Sequence, residues 1–372
     1  MEGAFLSSVL PAFRLKIDGF RLKHDDFRMK HAGFRWICSV LQLPDGGLLA
    51  SSYGPFRDGH FANCSRLNLT GQGAHSGLGI ICTSVVISRS TDGGASWRQI
   101  GVASDTPNKT AVGYPCFSGS ENSLIMLSNG TLVAVWRAGG PAHQPPTGEP
   151  ICGAVSTDGS GAHWSVPVPL GWSTAAANGA RLNASRAPPF NATQPHPYGV
   201  DPKLVQLHSG TLALSAGRVG LHVWLAPRIN RHSQNGGNIL EQLAAEDGGG
   251  WTGLNLAQAH NDLAMLAHMP ADVRFTQAMI ENGGGAPCDG LCEFESTSCE
   301  NTHNPHRNLI TGEVSDRLLL VFSDTGMVNI PGTDRVLISY DKTTGTYNNG
   351  TVPSRVGNRS YIFVMELRVM PT

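Results

Sequence analysis

The chain has 372 residues, 40% of them hydrophobic and 15% charged, with a formal net charge of −1. Such a balance offers no global field to nucleic acid or an anionic membrane. The charged fraction is too low for a coiled coil or a charged tail, and no apolar run reaches the roughly 18 residues of a bilayer span. The 45 glycines and 23 prolines, set between short apolar runs, point to an all-β protein built of many hairpins.

The first 33 residues stand apart. They carry a seven-residue repeat, Phe13-Arg-Leu-Lys, Phe20-Arg-Leu-Lys and Phe27-Arg-Met-Lys, followed by Phe34-Arg35-Trp36. Apolar and basic residues alternate in it, which suits a strand better than a helix face. No signal peptide is evident: Glu2 is acidic, no basic region precedes the apolar run, and Pro11 breaks that run. The expectation is an extension over residues 1–33, outside the core, and one folded unit over 34–372.

Within that unit a larger pattern recurs. Leu43-Pro-Asp-Gly46-Gly-Leu48, Leu127-Ser-Asn-Gly130-Thr-Leu132 and Leu207-His-Ser-Gly210-Thr-Leu212 share Leu-x-x-Gly-x-Leu, each flanked by apolar runs. Asp-Gly, Asn-Gly and Ser-Gly are hairpin turns, because glycine takes positive φ at no steric cost. A period of roughly 80 residues exceeds the 40–50 of usual propeller blades, so each period must hold extra strands or loops.

A second hairpin lies inside each period. Ser90-Thr-Asp92-Gly-Gly94-Ala-Ser-Trp97 follows the run Val85-Val-Ile87, and Ser156-Thr-Asp158-Gly-Ser-Gly161-Ala-His-Trp164 follows Ala154-Val155. Weaker echoes are Asp247-Gly-Gly-Gly-Trp251 and Ser339-Tyr-Asp341-Lys-Thr-Thr-Gly345-Thr-Tyr347. The Asp carboxylate can accept backbone N–H bonds in such a turn, and Trp can cover the blade edge, so Asp92 and Asp158 read as structural.

Two signs bear on compartment. Asn-x-Ser/Thr acceptors occur at Asn63, Asn68, Asn108, Asn129, Asn183, Asn191, Asn349 and Asn358. Eight cysteines, an even number, read as disulfides of unspecified pairing. Together they imply a secreted or lumenal glycoprotein. Cys288, Cys292 and Cys299 with His303 and His306 fit no common zinc spacing, and a surface loop is the simpler account, so no metal is expected. No nucleotide- or cofactor-binding motif appears, and no cofactor is expected.

Ser90 to Trp97 matches in full the Ser-x-Asp-x-Gly-x-x-Trp Asp box of the sialidase superfamily, and with the blade pattern before it the chain resembles that family over roughly residues 34–369. The resemblance implies a β-propeller, six-bladed in the sialidases, acting as a monomer on sialylated or other acidic glycans. It also implies exo-cleavage of a terminal sialic acid, a reaction whose nucleophile is Tyr rather than a carboxylate. Non-catalytic propellers that bind glycan or protein carry the same box and remain the alternative.

The candidate site residues follow from the same resemblance. Ser120-Glu121-Asn122, leading through a turn to Val133-Ala-Val-Trp-Arg137, looks like the blade in which a Glu polarises the Tyr and an Arg grips the substrate carboxylate. Their sixteen-residue separation also suits a strand, a tight turn and a returning strand that bring both to one hairpin end. Arg218, between Gly217 and Gly220, resembles the next clamp Arg, with Asp201-Pro202 placed as in the family. Arg57 and Asp58, after the first blade strand, look like a further clamp Arg and the acid that protonates the leaving oxygen. The family's first clamp Arg has no clean match, Arg35 being nearest. Tyr340 is the nucleophile candidate among the tyrosines past Arg218, although it also lies inside a degenerate Asp box.

Overall fold

The computed structural model describes residues 36–55, 83–104, 116, 119–138, 151–171, 197, 199–217, 221–226, 239, 251–269, 273–275, 325–344 and 359–370. They form four antiparallel sheets that follow the chain in order. The first holds β1 (Trp36–Gln42), β2 (Leu48–Pro55), β3 (Thr83–Ser90) and β4 (Arg98–Val102). The second holds β5 (Gly119–Met126), β6 (Leu132–Ala138), β7 (Ile151–Ser156) and β8 (Val168–Pro169). The third holds β9 (Val200–Gln206), β10 (Leu212–Gly217), β11 (His222–Leu225) and β12 (Thr252–Asn255), and runs into the helix α1 (Leu256–Leu266). The fourth holds β13 (Gly326–Asn329), β14 (Arg335–Thr344) and β15 (Arg359–Arg368).

Each sheet is a meander whose strands pair in sequence order, and successive sheets pack face to face: this is a β-propeller, as the sequence leads one to expect. The side-chain period of two explains why β6 reads as an unbroken apolar run. Leu132, Ala134 and Trp136 face Leu49, Val85 and Ile87 of the first blade. Val133 and Val135 face Leu204, Leu212, Leu214 and Trp224 of the third. A strand covered on both faces has no side left to be polar. Between the third and fourth blades, Leu221, Val223 and Leu256 meet Val336, Ile338 and Met365. The opposite face of the fourth blade leaves Ile362 and Val364 exposed among the described residues.

The three recurring turns form as expected. Gly46, Gly130 and Gly210 take φ of 82°, 86° and 92°, and each donates its N–H to the carbonyl of the leucine three residues earlier. A different turn, Ile330-Pro331-Gly332-Thr333, joins β13 to β14: Gly332 has φ 73°, and Thr333 rather than the glycine donates to the Ile330 carbonyl.

The third-to-fourth strand turns at Asp92 and Asp158 are hydrogen-bonded cages. Asp92 Oδ1 accepts from the Ser96 N–H at 2.9 Å and from the Ser90 hydroxyl at 2.7 Å, while Trp97 donates to Gly94 O at 3.0 Å. Asp158 Oδ1 accepts from the Ser160 N–H at 3.0 Å, and Trp164 donates to Gly161 O at 2.8 Å. The expected echo at Ser339–Tyr347 is corrected. β14 runs straight through Asp341, so residues 339–344 belong to the second strand of the fourth sheet rather than to a turn after a third strand, and residues 345–347 lie outside the described residues. The expected echo at Asp247 lies outside the described residues, although Trp251 is buried where such a turn would end. The proposed extension over residues 1–33 lies outside them too.

Cys116 and Cys152 form a disulfide that ties the segment before β5 to β7 of the same blade. No helix among the described residues is long and apolar enough to cross a membrane.

Candidate active site

One irregularity recurs at the same end of three blades. On β1, Cys38 is inserted between Ile37, paired with Ser52, and Ser39, paired with Ser51. On β5, Ser120 and Glu121 stand opposite Arg137 alone, between the Gly119–Ala138 and Asn122–Trp136 pairs. On β9, Asp201 and Pro202 stand opposite Ala216 alone, between Val200–Gly217 and Lys203–Ser215. Each innermost strand thus carries a β-bulge with one extra residue. Bulges bend a strand and re-aim side chains, and they cluster beside functional sites.

Hydrogen bonds between neighbouring innermost strands bring the three bulges level. Leu124 N donates to Ser39 Oγ at 3.2 Å, and Leu204 N donates to Ser123 Oγ at 3.1 Å. The backbone N–H of Asn122 also reaches the Cys38 sulfur. Cys38, Glu121 and Asp201 therefore gather at one end of the propeller, with the C-terminal ends of β2 and β6, which carry Tyr53 and Arg137.

Glu121 and Arg137 are brought together as the sequence leads one to expect. Arg137 Nη1 donates to Glu121 Oε2 at 3.4 Å. The guanidinium is the more sheltered partner, its side chain 11% exposed against 24% for the carboxylate. Ser120 Oγ lies 3.4 Å from the same Oε2 and 3.3 Å from Arg137 O, so its one proton serves one of them at a time.

Tyr53 was not singled out from the sequence. It lies on β2 in the first blade, whereas the family order directs attention to tyrosines beyond Arg218. Tyr53 and Arg137 occupy matching places, each seven residues past its turn glycine, Gly46 or Gly130. Burial pushes the Tyr53 phenol well above its ordinary pKa; the charge of Glu121 adds to this, then Cys38 and Asp201, and Arg137 opposes it. The Cys38 thiol is pushed up to about 11, chiefly by burial, against the Asn122 N–H and the Lys203 charge. Asp201 is paired to Lys203 Nζ at 2.6 Å and has φ 48°.

Tyr340 goes elsewhere. It is buried between the fourth blade and α1, where its hydroxyl meets His260 Nδ1 at 2.9 Å. His260 Nε2 faces Val273 O at 3.0 Å. A carbonyl can only accept, so Nε2 carries the ring proton and Nδ1 accepts from the phenol. Phe275 and Phe363 stack edge-on around His260. Burial alone raises the Tyr340 pKa, with no charged neighbour contributing.

Arg57, Asp58, Arg218 and the nearest first-clamp candidate, Arg35, lie outside the described residues, as do the cysteines and histidines of residues 288–306. The described residues contain no cluster of three His, Cys, Asp or Glu side chains able to hold a metal. Asp92 and Asp158 sit at the opposite end of their blades from Glu121, since Ser90 pairs with Leu48 and Ser156 with Leu132, the first residues of the second strands.

No protein-family model and no curated protein matches the chain. Solved structures do. A protein of unknown function from Dyadobacter fermentans DSM 18053 matches at 13% identity and TM-score 0.37, over 89% of this chain and 75% of that one. The α-L-arabinofuranosidase of Fusarium graminearum, solved with arabinobiose, matches at 11% identity and TM-score 0.36, over 88% of this chain and 62% of that one. The sialidase of Trypanosoma rangeli, solved with sialic acid, matches at 9% identity and TM-score 0.26, over 82% of this chain and 44% of that one. The chain thus spans about three fifths of the arabinofuranosidase and less than half of the sialidase.

Proposed function

We propose that the protein is a secreted or lumenal glycoside hydrolase of sialidase type, removing a terminal acidic sugar from a glycoconjugate. The observation that carries this reading is the Glu121–Arg137 ion pair at one end of the propeller, both residues predicted from the blade resemblance, with Tyr53 at that same end and near enough to feel both charges. Arg137 supplies a sheltered guanidinium for a substrate carboxylate. Burial and the neighbouring carboxylates keep the Tyr53 phenol protonated at rest. It approaches an anionic sugar without repulsion and becomes a nucleophile only when a base takes its proton. Glu121 is that base. In the first step the Tyr53 oxygen bonds to the anomeric carbon, Glu121 takes the phenolic proton, and the bond to the leaving oxygen breaks as an acid protonates it. Water then reverses the sequence, releasing the sugar and restoring the phenol. Asp58 is the acid candidate and Arg218 the second clamp candidate; Arg57 is a further one. The disulfide between Cys116 and Cys152 supports an oxidising compartment.

The test is hydrolysis of 4-methylumbelliferyl N-acetylneuraminide by the wild type and by Glu121→Gln, Tyr53→Phe and Arg137→Ala. The expected result is turnover by the wild type and its loss in the variants. Saturable binding of the sialoside without turnover would instead mark a glycan-binding propeller.

A further inference from the structure

The third blade contributes a pair of charges to this end of the propeller that the reaction above does not use. Asp201 and Lys203 lie on β9, two residues apart, joined at 2.6 Å, with side chains 24% and 25% exposed. Asp201 sits on the third of the level bulges. It also has φ 48°, a left-handed backbone that only glycine adopts freely, and it precedes a proline. A partly sheltered ion pair adds little net stability, because the cost of desolvating both charges offsets much of their attraction. Stability therefore does not explain why a strained backbone holds a carboxylate here. Strain of this kind persists where the surroundings impose it, and it clusters at ligand sites.

We propose that the Asp201–Lys203 pair is a hydroxyl-binding subsite for the sugar held at Glu121 and Arg137, a proposal that rests on the glycosidase reading. The pair carries no net charge, so it does not compete with Arg137 for a substrate carboxylate. What it offers is a strong acceptor beside a strong donor. Lys203 has three N–H donors, and a carboxylate offers about four acceptor sites. One sugar hydroxyl can give its proton to Asp201 while a neighbouring oxygen accepts from Lys203. Bulges at the same level place this pair on the strand beside Glu121, and the Asp201 charge is felt at both Tyr53 and Cys38. The ligand class is a polyhydroxylated sugar ring, read by its hydroxyl pattern.

The test uses Asp201→Asn, Lys203→Met and Asp201→Gly. Each is assayed for turnover of 4-methylumbelliferyl N-acetylneuraminide, for binding of free N-acetylneuraminic acid by titration calorimetry, and for thermal melting. Losing a hydrogen bond to a charged group should raise KM and Kd roughly tenfold to hundredfold in all three, with kcat within a few-fold of wild type. Asp201→Gly should melt no lower than wild type, because glycine relieves the left-handed strain. A merely structural pair would lower melting and leave Kd alone. Unchanged KM and Kd in Asp201→Asn and Lys203→Met would overturn the subsite, even with hydrolysis intact. A wild type that binds the free sugar without hydrolysing the sialoside, with weaker binding in the variants, would end the hydrolase reading and keep the subsite. A wild type that does neither would end both.

Discussion

Glu121 Oε2 and Arg137 Nη1 lie 3.4 Å apart, although sixteen residues separate them in sequence. The tight turn at Gly130 brings the strands back together, and the bulge at Ser120–Glu121 makes two residues share the place opposite Arg137. The guanidinium shields the carboxylate, and removing either side should have different consequences. Arg137→Ala should reduce turnover of an acidic glycoside roughly a thousandfold, because a clamp in a sheltered site stabilises substrate charge through the transition state. Glu121→Gln should reduce kcat with less effect on KM, since it takes away the base but not the clamp. Steady-state kinetics on both variants check the split.

The two tyrosines should separate cleanly. Tyr53→Phe deletes the phenol at the Glu121 end of the propeller and should abolish turnover while leaving melting near wild type. Tyr340→Phe should do the reverse. It leaves His260 Nδ1 buried without its donor, at a cost of about 1–3 kcal/mol in stability, with turnover retained. Chemical denaturation alongside the sialoside assay reads both. Loss of turnover in Tyr340→Phe, with Tyr53→Phe active, would return the nucleophile to the fourth blade.

The aspartate turns predict a pH effect with a definite sign. Burial opposes ionisation of Asp158, but the Ser160 N–H and the hydroxyls of Ser156 and Ser160 outweigh it and hold its carboxyl down at about 2. Hydrogen bonds from Ser96 and Ser90 hold Asp92 well below the usual carboxylate range. A group with a lowered folded-state pKa stabilises the fold above its unfolded value, near 4, and loses that contribution as pH falls toward the folded value. Melting temperature should therefore drop between about pH 4 and pH 2. The double variant Asp92→Asn, Asp158→Asn should show a shallower drop, measured by melting across that range.

The sequence was most legible where a local rule decides the outcome. Positive φ at Gly46, Gly130 and Gly210 follows from the turn chemistry, and the cages at Asp92 and Asp158 follow from where a short carboxylate can reach. Glu121 and Arg137 could be paired because one hairpin relates them. The turn at Gly332 escapes the pattern because its glycine falls two residues after Ile330, where the other three fall three residues after a leucine. At Asp341, the degenerate box lost to pairing: ten consecutive residues of β14 bond to β15 across it. Tyr53 was illegible for a different reason. The groups that influence it lie on other strands, and its neighbourhood exists only because three innermost strands bulge at one level. A one-residue insertion in a ladder leaves no residue signature, and it is what aims Cys38, Glu121 and Asp201.

The disulfide yields the last prediction. Cys116 and Cys152 close a loop of 36 residues that contains all of β5 and β6, hence Glu121 and Arg137. Cys116 and Cys152 are both fully buried in the core between the first and second blades, beside Trp136 and Leu132. Opening the crosslink frees the unfolded chain and should cost about 2–4 kcal/mol of stability. Because the loop carries the site, the penalty should also reach function. Cys116→Ser with Cys152→Ser, or the wild type under dithiothreitol, should melt several degrees lower and lose sialoside turnover below the temperature of global unfolding, as the second blade loosens first. Hydrogen exchange at the amides of β5 and β6, compared with those of β10 and β14, would follow this directly. Equal protection in all four strands after reduction, with turnover unchanged, would show that packing between the blades holds the site without the crosslink.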